Sequence, residues 1–222
     1  MIPIKILLII LSIVFNAQTA FAEKQARYLF SALSLPSKQS PNAFGSYSKG
    51  CLAGGEEMLE SGPTWQVMRL SRDRNWGHPD MITLLKNLSK SVAEKTSWNG
   101  IYIGDISQPR GGPMISGHAS HQLGLDADIW MLPAKNLNLT QSRRESISSI
   151  NIRSKNKKTT NSNWTNEHVD VLKIFAKDPS VDRIFVTAPA KIYMCKHEVG
   201  NKDWLQKRKQ PGLSGCSSLR IG

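Results

Sequence analysis

Gly117-His118-Ala119-Ser120-His121-Gln122-Leu123-Gly124-Leu125-Asp126-Ala127-Asp128 sets two histidines and two aspartates among glycines within twelve residues. Imidazole nitrogen with carboxylate oxygen suits Zn²⁺, and a catalytic zinc keeps three protein ligands and one open position. His121 and Asp128 are seven residues apart, which on a helix is two turns and about 10.5 Å along the axis, too far to meet at one ion. A loop leading into a strand fits them better, because Asp126-Ala127-Asp128-Ile129-Trp130 alternates polar and apolar residues. In such a strand Asp126 and Asp128 share a face, and Gly124 lets the chain turn back so that His121 meets them. A surface loop with turn-capping aspartates is the ordinary alternative. The second histidine and the glycines favour the metal site.

Outward from this stretch, the pattern predicts an α+β fold in a single domain, a central, mostly antiparallel sheet flanked by helices, with the zinc site on a loop. Pro79–Lys95 is the clearest helix, with Met81, Leu84, Leu85, Leu88 and Val92 on one face and Pro79 in the first turn. A second helix is expected over Thr165–Lys177, with Thr165 as N-cap and Val169, Leu172 and Phe175 inward. Strands are expected at Trp65–Leu70, Gly100–Ser107 and Val181–Thr187. Glu23–Ser40 reads as a leader whose second half is extended around Pro36 and Pro41. Leu137–Ser162 is polar and basic and reads as a mobile surface loop near the site.

Met1–Ala22 has the form of a secretory signal: Lys5, an apolar run Ile6–Phe15, and Ala20-Phe21-Ala22 for cleavage. That run is about ten residues, against the roughly 20 that span a bilayer, so no stable membrane anchor is expected after cleavage. The chain carries 29 Lys+Arg against 17 Asp+Glu, a net charge of +12. A basic exported protein is drawn to anionic surfaces, here a cell wall or membrane face. Nucleic acid is the usual rival partner, and export with no nucleic-acid motif argues against it. The basic runs, including Arg153–Lys158, read by default as solvated loop. Three cysteines, Cys51, Cys195 and Cys216, leave at least one thiol free or paired between molecules.

The remaining histidines read as structural. His78 orders the corner before a helix, His168 lies exposed in a first helical turn, and His197 is on the surface. A serine-nucleophile scheme finds no G-x-S-x-G.

His-Ala-Ser-His-Gln-x-Gly-Leu-Asp-x-Asp over 118–128 resembles the signature of the penicillin-insensitive murein endopeptidases, zinc peptidases related to lysostaphin-type and D-Ala-D-Ala-type enzymes. Phe44–Cys51, Trp76–Asp80, Tyr102–Asp105, Asp182–Val186 and Lys202–Leu205 resemble the same family in the same order, so the likeness runs from about Gly45 to about Gln206. The resemblance implies that His121 and Asp128 ligate Zn²⁺ with His118 beside them in the metal site. It implies a periplasmic enzyme that hydrolyses D-alanyl–diaminopimelate cross-links in peptidoglycan. No acyl-enzyme serine is needed, hence insensitivity to penicillin. It also implies disulfides from Cys51 and Cys195 to cysteines nearer the C-terminus, whose counterparts are not recognisable here.

The sequence departs from the family in two places. The resembled enzymes take a third ligand and a catalytic group from a His-x-His strand after the Asp-Trp-Leu segment, whereas 207–222 contains no histidine. The reading is a murein endopeptidase-like domain over 23–206 followed by an atypical tail over 207–222, truncated or read out of frame, with no catalytic residue assigned. A second metal used by resembled enzymes is not carried over, because Ser154-Lys155-Asn156-Lys157 stands where its Asp and His belong. Two alternatives stay open: an inactive remnant or non-catalytic wall-binding protein, and a zinc D-Ala-D-Ala carboxypeptidase.

Overall fold

The computed structural model describes residues 25–115 and 118–206. The expected signal over 1–22 and the tail over 207–222 lie outside the described residues. In chain order the elements are α1 (25–31), β1 (Asn42–Ser46), β2 (Lys49–Ala53), β3 (Glu56–Glu57), β4 (Ser61–Gly62) and β5 (Trp65–Val67). A 3₁₀ turn at Leu70–Arg72 precedes β6 (Trp76–Gly77), α2 (Pro79–Lys95), β7 (Ile101–Ile103) and β8 (Ile129–Trp130). Then come α3 (Gln141–Ser146), α4 (Asn166–Lys177), α5 (Ala188–His197) and a 3₁₀ turn at Asp203–Gln206. The class is α+β, as the pattern predicts.

Helix α2 has the bounds the spacing predicts. Pro79 and Asp80 open it and Lys95 closes it, which suits the positive and negative ends of the helix dipole. Its buried ridge is Ile82, Leu85, Leu88 and Val92, with Ser89 among them, and Met81 and Leu84 flank that ridge half-buried. Each apolar side chain fully buried there stabilises the fold by about 1.5–3 kcal/mol.

Two compact units divide the chain: one runs to Glu60 and includes Val67–Thr83 and Ile103–Asp128, the other holds Ser61–Gln66, Leu84–Tyr102 and the chain from Ile129. In the first, β1 and β2 form an antiparallel hairpin and β3 pairs antiparallel with β6. Its core includes Leu52, Met58, Met68, Ile103, Ile106 and Met114.

The second unit holds β4, β8 and all but the last residues of β5 and β7, with β4 and β5 antiparallel, and a cluster of Trp164, Leu172, Ala176, Ala190, Met194, Trp204 and Leu205. Several expectations change here. Residues 181–187 are not a strand. Ile184 and Val186 pack against the cluster while Phe185 points out, so the alternation is real but among the described residues no neighbouring strand takes up the backbone. The predicted strand at Trp65–Leu70 stops at Val67, because Arg69 turns left-handed with φ 60°. Residues 25–31 of the leader are helical. The basic segment over 137–162 contains α3, capped by Thr140, whose side chain accepts from the Arg143 N–H. Cys195 is disulfide-bonded, as the resemblance implies for it, whereas Cys51, for which it implies the same, is free.

His168 is buried, contrary to the exposed position expected of it. Thr165 caps α4, and the Thr165 N–H donates back to His168 Nδ1 at 3.1 Å, a capping box with histidine in the place of the usual glutamate. Nε2–H donates to the Met131 carbonyl at 3.0 Å, and Trp164 stacks on the ring. Nδ1, facing the Thr165 N–H and hydroxyl, has no room for a proton. Burial, the leading cause, holds the His168 pKa below its ordinary value. The unfolded chain therefore binds a proton that the folded chain refuses, and stability falls as pH drops below about 6.5, the ordinary histidine value. Urea midpoints from pH 8 to pH 5 should show the wild type losing stability relative to His168→Gln. A difference that does not change with pH would refute the locked tautomer.

Candidate metal centre

Every residue of the candidate site belongs to the first unit. Asp105 follows β7 and is almost fully buried (3% exposed). Arg74 Nη1 donates to its Oδ2 at 2.8 Å, and Arg72 Nη1 lies 3.2 Å from both oxygens. His118 Nε2 approaches the same Oδ2 at 3.2 Å. Asp105 is thus a junction that two guanidiniums share and that orients a histidine. Its backbone also registers the site, since Asp128 N–H donates to the Asp105 carbonyl and Gly104 N–H to the Asp128 carbonyl.

His121 is 4% exposed and sits in the left-handed region at φ 65°, a conformation that costs a non-glycine residue on the order of 1 kcal/mol or more. Three bonds hold it there. Its N–H donates to Asp126 Oδ2 at 3.1 Å, Ser107 Oγ donates to its carbonyl at 2.5 Å, and ring Nδ1 meets the Ile106 carbonyl at 3.0 Å. A carbonyl only accepts, so Nδ1 carries a proton, and Nε2 is the ring atom left for a metal, 3.5 Å from Asp128 Oδ1. Such a backbone partner is what fixes a metal-binding imidazole. The turn beyond it needs glycine: Gly124 has φ 65°, and a Cβ there would stand 2.9 Å from the His78 N and 2.7 Å from Leu52 Cδ2.

The electrostatics couple the pair. Burial disfavours charge on His121, but the hydrogen bond to Asp128, the charges of Asp126 and Asp128 and the Ile106 carbonyl together raise its pKa. For Asp128, burial pushes upward, yet the hydrogen bond to His121 and the charges of His121, His118 and Arg72 bring its pKa below the ordinary value. One donor atom each from His118, His121 and Asp128 lies within 4.8 Å of the others, and this is the group among the described residues able to hold a metal ion. The 3.5 Å gap between His121 Nε2 and Asp128 Oδ1 fits two ligands of one ion at about 2.0–2.2 Å each.

The sequence pattern places His118, His121 and Asp128 together, and so does the structure. It places Asp126 differently: the strand begins only at Ile129, and Asp126 serves the backbone and Nδ1 edge of His121 while Asp128 serves Nε2. His78 accepts from the Asp80 N–H at 3.3 Å, the structural role expected of it. His197 is exposed and stacks on Tyr193 at 4.3 Å.

A family model described as penicillin-insensitive murein endopeptidase matches residues 43–212. Relatives bearing that name include one from Haemophilus influenzae, 35% identical over 77% of this chain and 58% of its own length. One from Pectobacterium atrosepticum is 36% identical over 78% of this chain and 61% of its own, and one from Klebsiella pneumoniae 35% over 76% and 61%. The chain belongs to the penicillin-insensitive murein endopeptidase family. It spans about three-fifths of the length of these curated relatives.

Asp105 and Gln122 add to the candidate site what spacing alone misses. Gln122 is buried beside His121. Its Nε2 donates to the Ser48 and Ala119 carbonyls at 2.9 and 3.2 Å, and its Oε1 accepts from the Gly50 N–H at 3.1 Å. One amide therefore ties the β1–β2 hairpin to the metal loop. Gln122→Ala leaves those groups unpaired and should cost about 1–3 kcal/mol in urea unfolding, with faster amide exchange at Gly50. Unchanged exchange there would argue that the hairpin is held by other contacts.

Proposed function

We propose that this protein is a zinc-dependent murein endopeptidase of the periplasm that hydrolyses D-alanyl–diaminopimelate cross-links in peptidoglycan. The observation that carries the reading is the convergence of His121 Nε2, Asp128 and His118 in a chain of this family. The donor set suits zinc: neutral imidazole and carboxylate, with the His121 tautomer fixed by the Ile106 carbonyl. A zinc ion held there would supply Lewis-acid polarisation of the scissile carbonyl and an activated water.

The protein's own groups do the rest. Ile106 and Asp126 keep the His121 lone pair aimed. Asp105, its charge balanced by Arg72 and Arg74, holds the His118 ring against Asp128. No serine is acylated in this scheme, so β-lactams that act by acylating serine leave it untouched.

The test is digestion of purified cross-linked sacculi by the mature protein. Cross-linked muropeptide dimers should fall to monomers, the loss should persist with penicillin, and a chelator should stop it until zinc is restored. Dimers that persist under all conditions would sink the enzyme. A second reading, a wall-binding protein without turnover, draws on one observation: none of His78, His168 and His197 joins the metal-capable group among the described residues. Zinc uptake without dimer loss is its mark. Release of terminal D-alanine with dimers intact would instead indicate the carboxypeptidase.

A further inference from the structure

Between α3 and α4 the chain makes a closed turn that the proposed chemistry does not use. Ser154 N–H donates to the Thr159 carbonyl and Lys157 N–H to the Ser154 carbonyl, at 2.9 and 3.0 Å. Asn156 Oδ1 accepts from the Lys158 N–H at 2.9 Å and from Ser154 Oγ at 2.6 Å. At the base, Asn161 Nδ2 donates to the carbonyls of Asn151 and Arg153 at 2.8 and 3.1 Å, and Arg153 bridges Thr160 antiparallel. Lys157 is left-handed at φ 59°, so the turn's backbone is specified bond by bond.

From this frame project Arg153, Lys155, Lys157 and Lys158, all exposed. Among the described residues none of the four side chains meets a carboxylate within ion-pair distance. No Asp or Glu occurs between Glu145 and Glu167.

The composition of the turn narrows the partner. Residues 153–163 contain no apolar or aromatic side chain, and the flanking Ile152 and Trp164 are buried. Attachment to a bilayer combines cations with apolar groups inserted at the headgroup level, and single-stranded nucleic acid is gripped by exposed aromatic rings. Neither feature is present. A hydrophilic polymer carrying carboxylates at intervals needs only cations held apart on a fixed frame. Individual exposed ion pairs are weak, but several on one frame engage a repeating polymer together.

We infer that the 153–158 turn is a docking surface for carboxylate-bearing wall polymer, the stem peptides of murein distant from the bond being cut. This rests on the proposed function and adds a second, non-catalytic contact with the same polymer.

The test is co-sedimentation of the full protein with purified sacculi on ice, with turnover of a soluble cross-linked muropeptide measured in parallel. The variant Lys155→Gln/Lys157→Asn/Lys158→Gln keeps the backbone bonds of the turn, with asparagine where φ is positive. It should be retained about tenfold less at low salt, and added salt should erase the difference. Amidating the sacculus carboxylates should erase it too, and soluble turnover should be equal. The matching arginine variant should be retained like the wild type. Equal retention of the glutamine variant overturns the inference, as does lost binding to anionic phospholipid vesicles with binding to sacculi intact. Lost retention in a protein that turns over no muropeptide upholds the docking surface and overturns the catalytic reading. Turnover with undiminished retention does the reverse.

Discussion

His121→Asn should abolish together the zinc binding and the cross-link hydrolysis proposed for this protein. Asparagine accepts the left-handed backbone that His121 adopts at φ 65°, so this change separates loss of the ligand from backbone strain. His121→Ala combines both losses. Removing a group that merely supports a ligand costs about 10–100-fold in affinity or activity, and removing a ligand itself should exceed that. Elemental analysis of the mature protein should read near one zinc per chain, and near none in His121→Asn. A full complement of zinc in the variant would mean that the metal is held elsewhere.

The second large effect lies at Asp105. Its carboxylate is 2% exposed and Arg74 is 10% exposed, so Asp105→Asn takes from a buried guanidinium the carboxylate that lies 2.8 Å from it. Breaking one partner of a buried pair costs about 3–5 kcal/mol. Arg72 is 45% exposed and can turn to water, so the loss should sit near 3 kcal/mol on that scale. The same change withdraws the acceptor 3.2 Å from His118 Nε2. Zinc affinity should therefore fall along with the urea midpoint. A shift below about 1 kcal/mol would place Asp105 among ordinary surface ion pairs.

What could be read from the sequence followed from local physics. The ridge of α2 and the start of α4 obey spacing and capping rules that act within a few residues, and both appear where those rules put them. The convergence of His118, His121 and Asp128 was legible because the three are neighbours in sequence. Asp105 was not, because its partners Arg72 and Arg74 are 33 and 31 residues away, and nothing local marks an aspartate as the one that will be buried. His168 carried a weak signal, Thr-x-x-His at a helix start. Its burial depends on Trp98, Trp164 and the Met131 carbonyl, which only the folded chain assembles. Residues 181–187 alternate like a strand for a sound reason, since Ile184 and Val186 do pack inward. A hydrogen-bonded ladder needs a neighbour, and side-chain alternation cannot supply one.

The junction at Asp105 also bears on the order in which the site fills. Leaving the two histidines out of the count, the three carboxylates of Asp105, Asp126 and Asp128 outnumber the guanidiniums of Arg72 and Arg74 by one. That surplus of negative charge attracts cations. A divalent ion held there, as proposed, would reverse its sign. On that proposal the balance of charge favours metal before an anionic peptide.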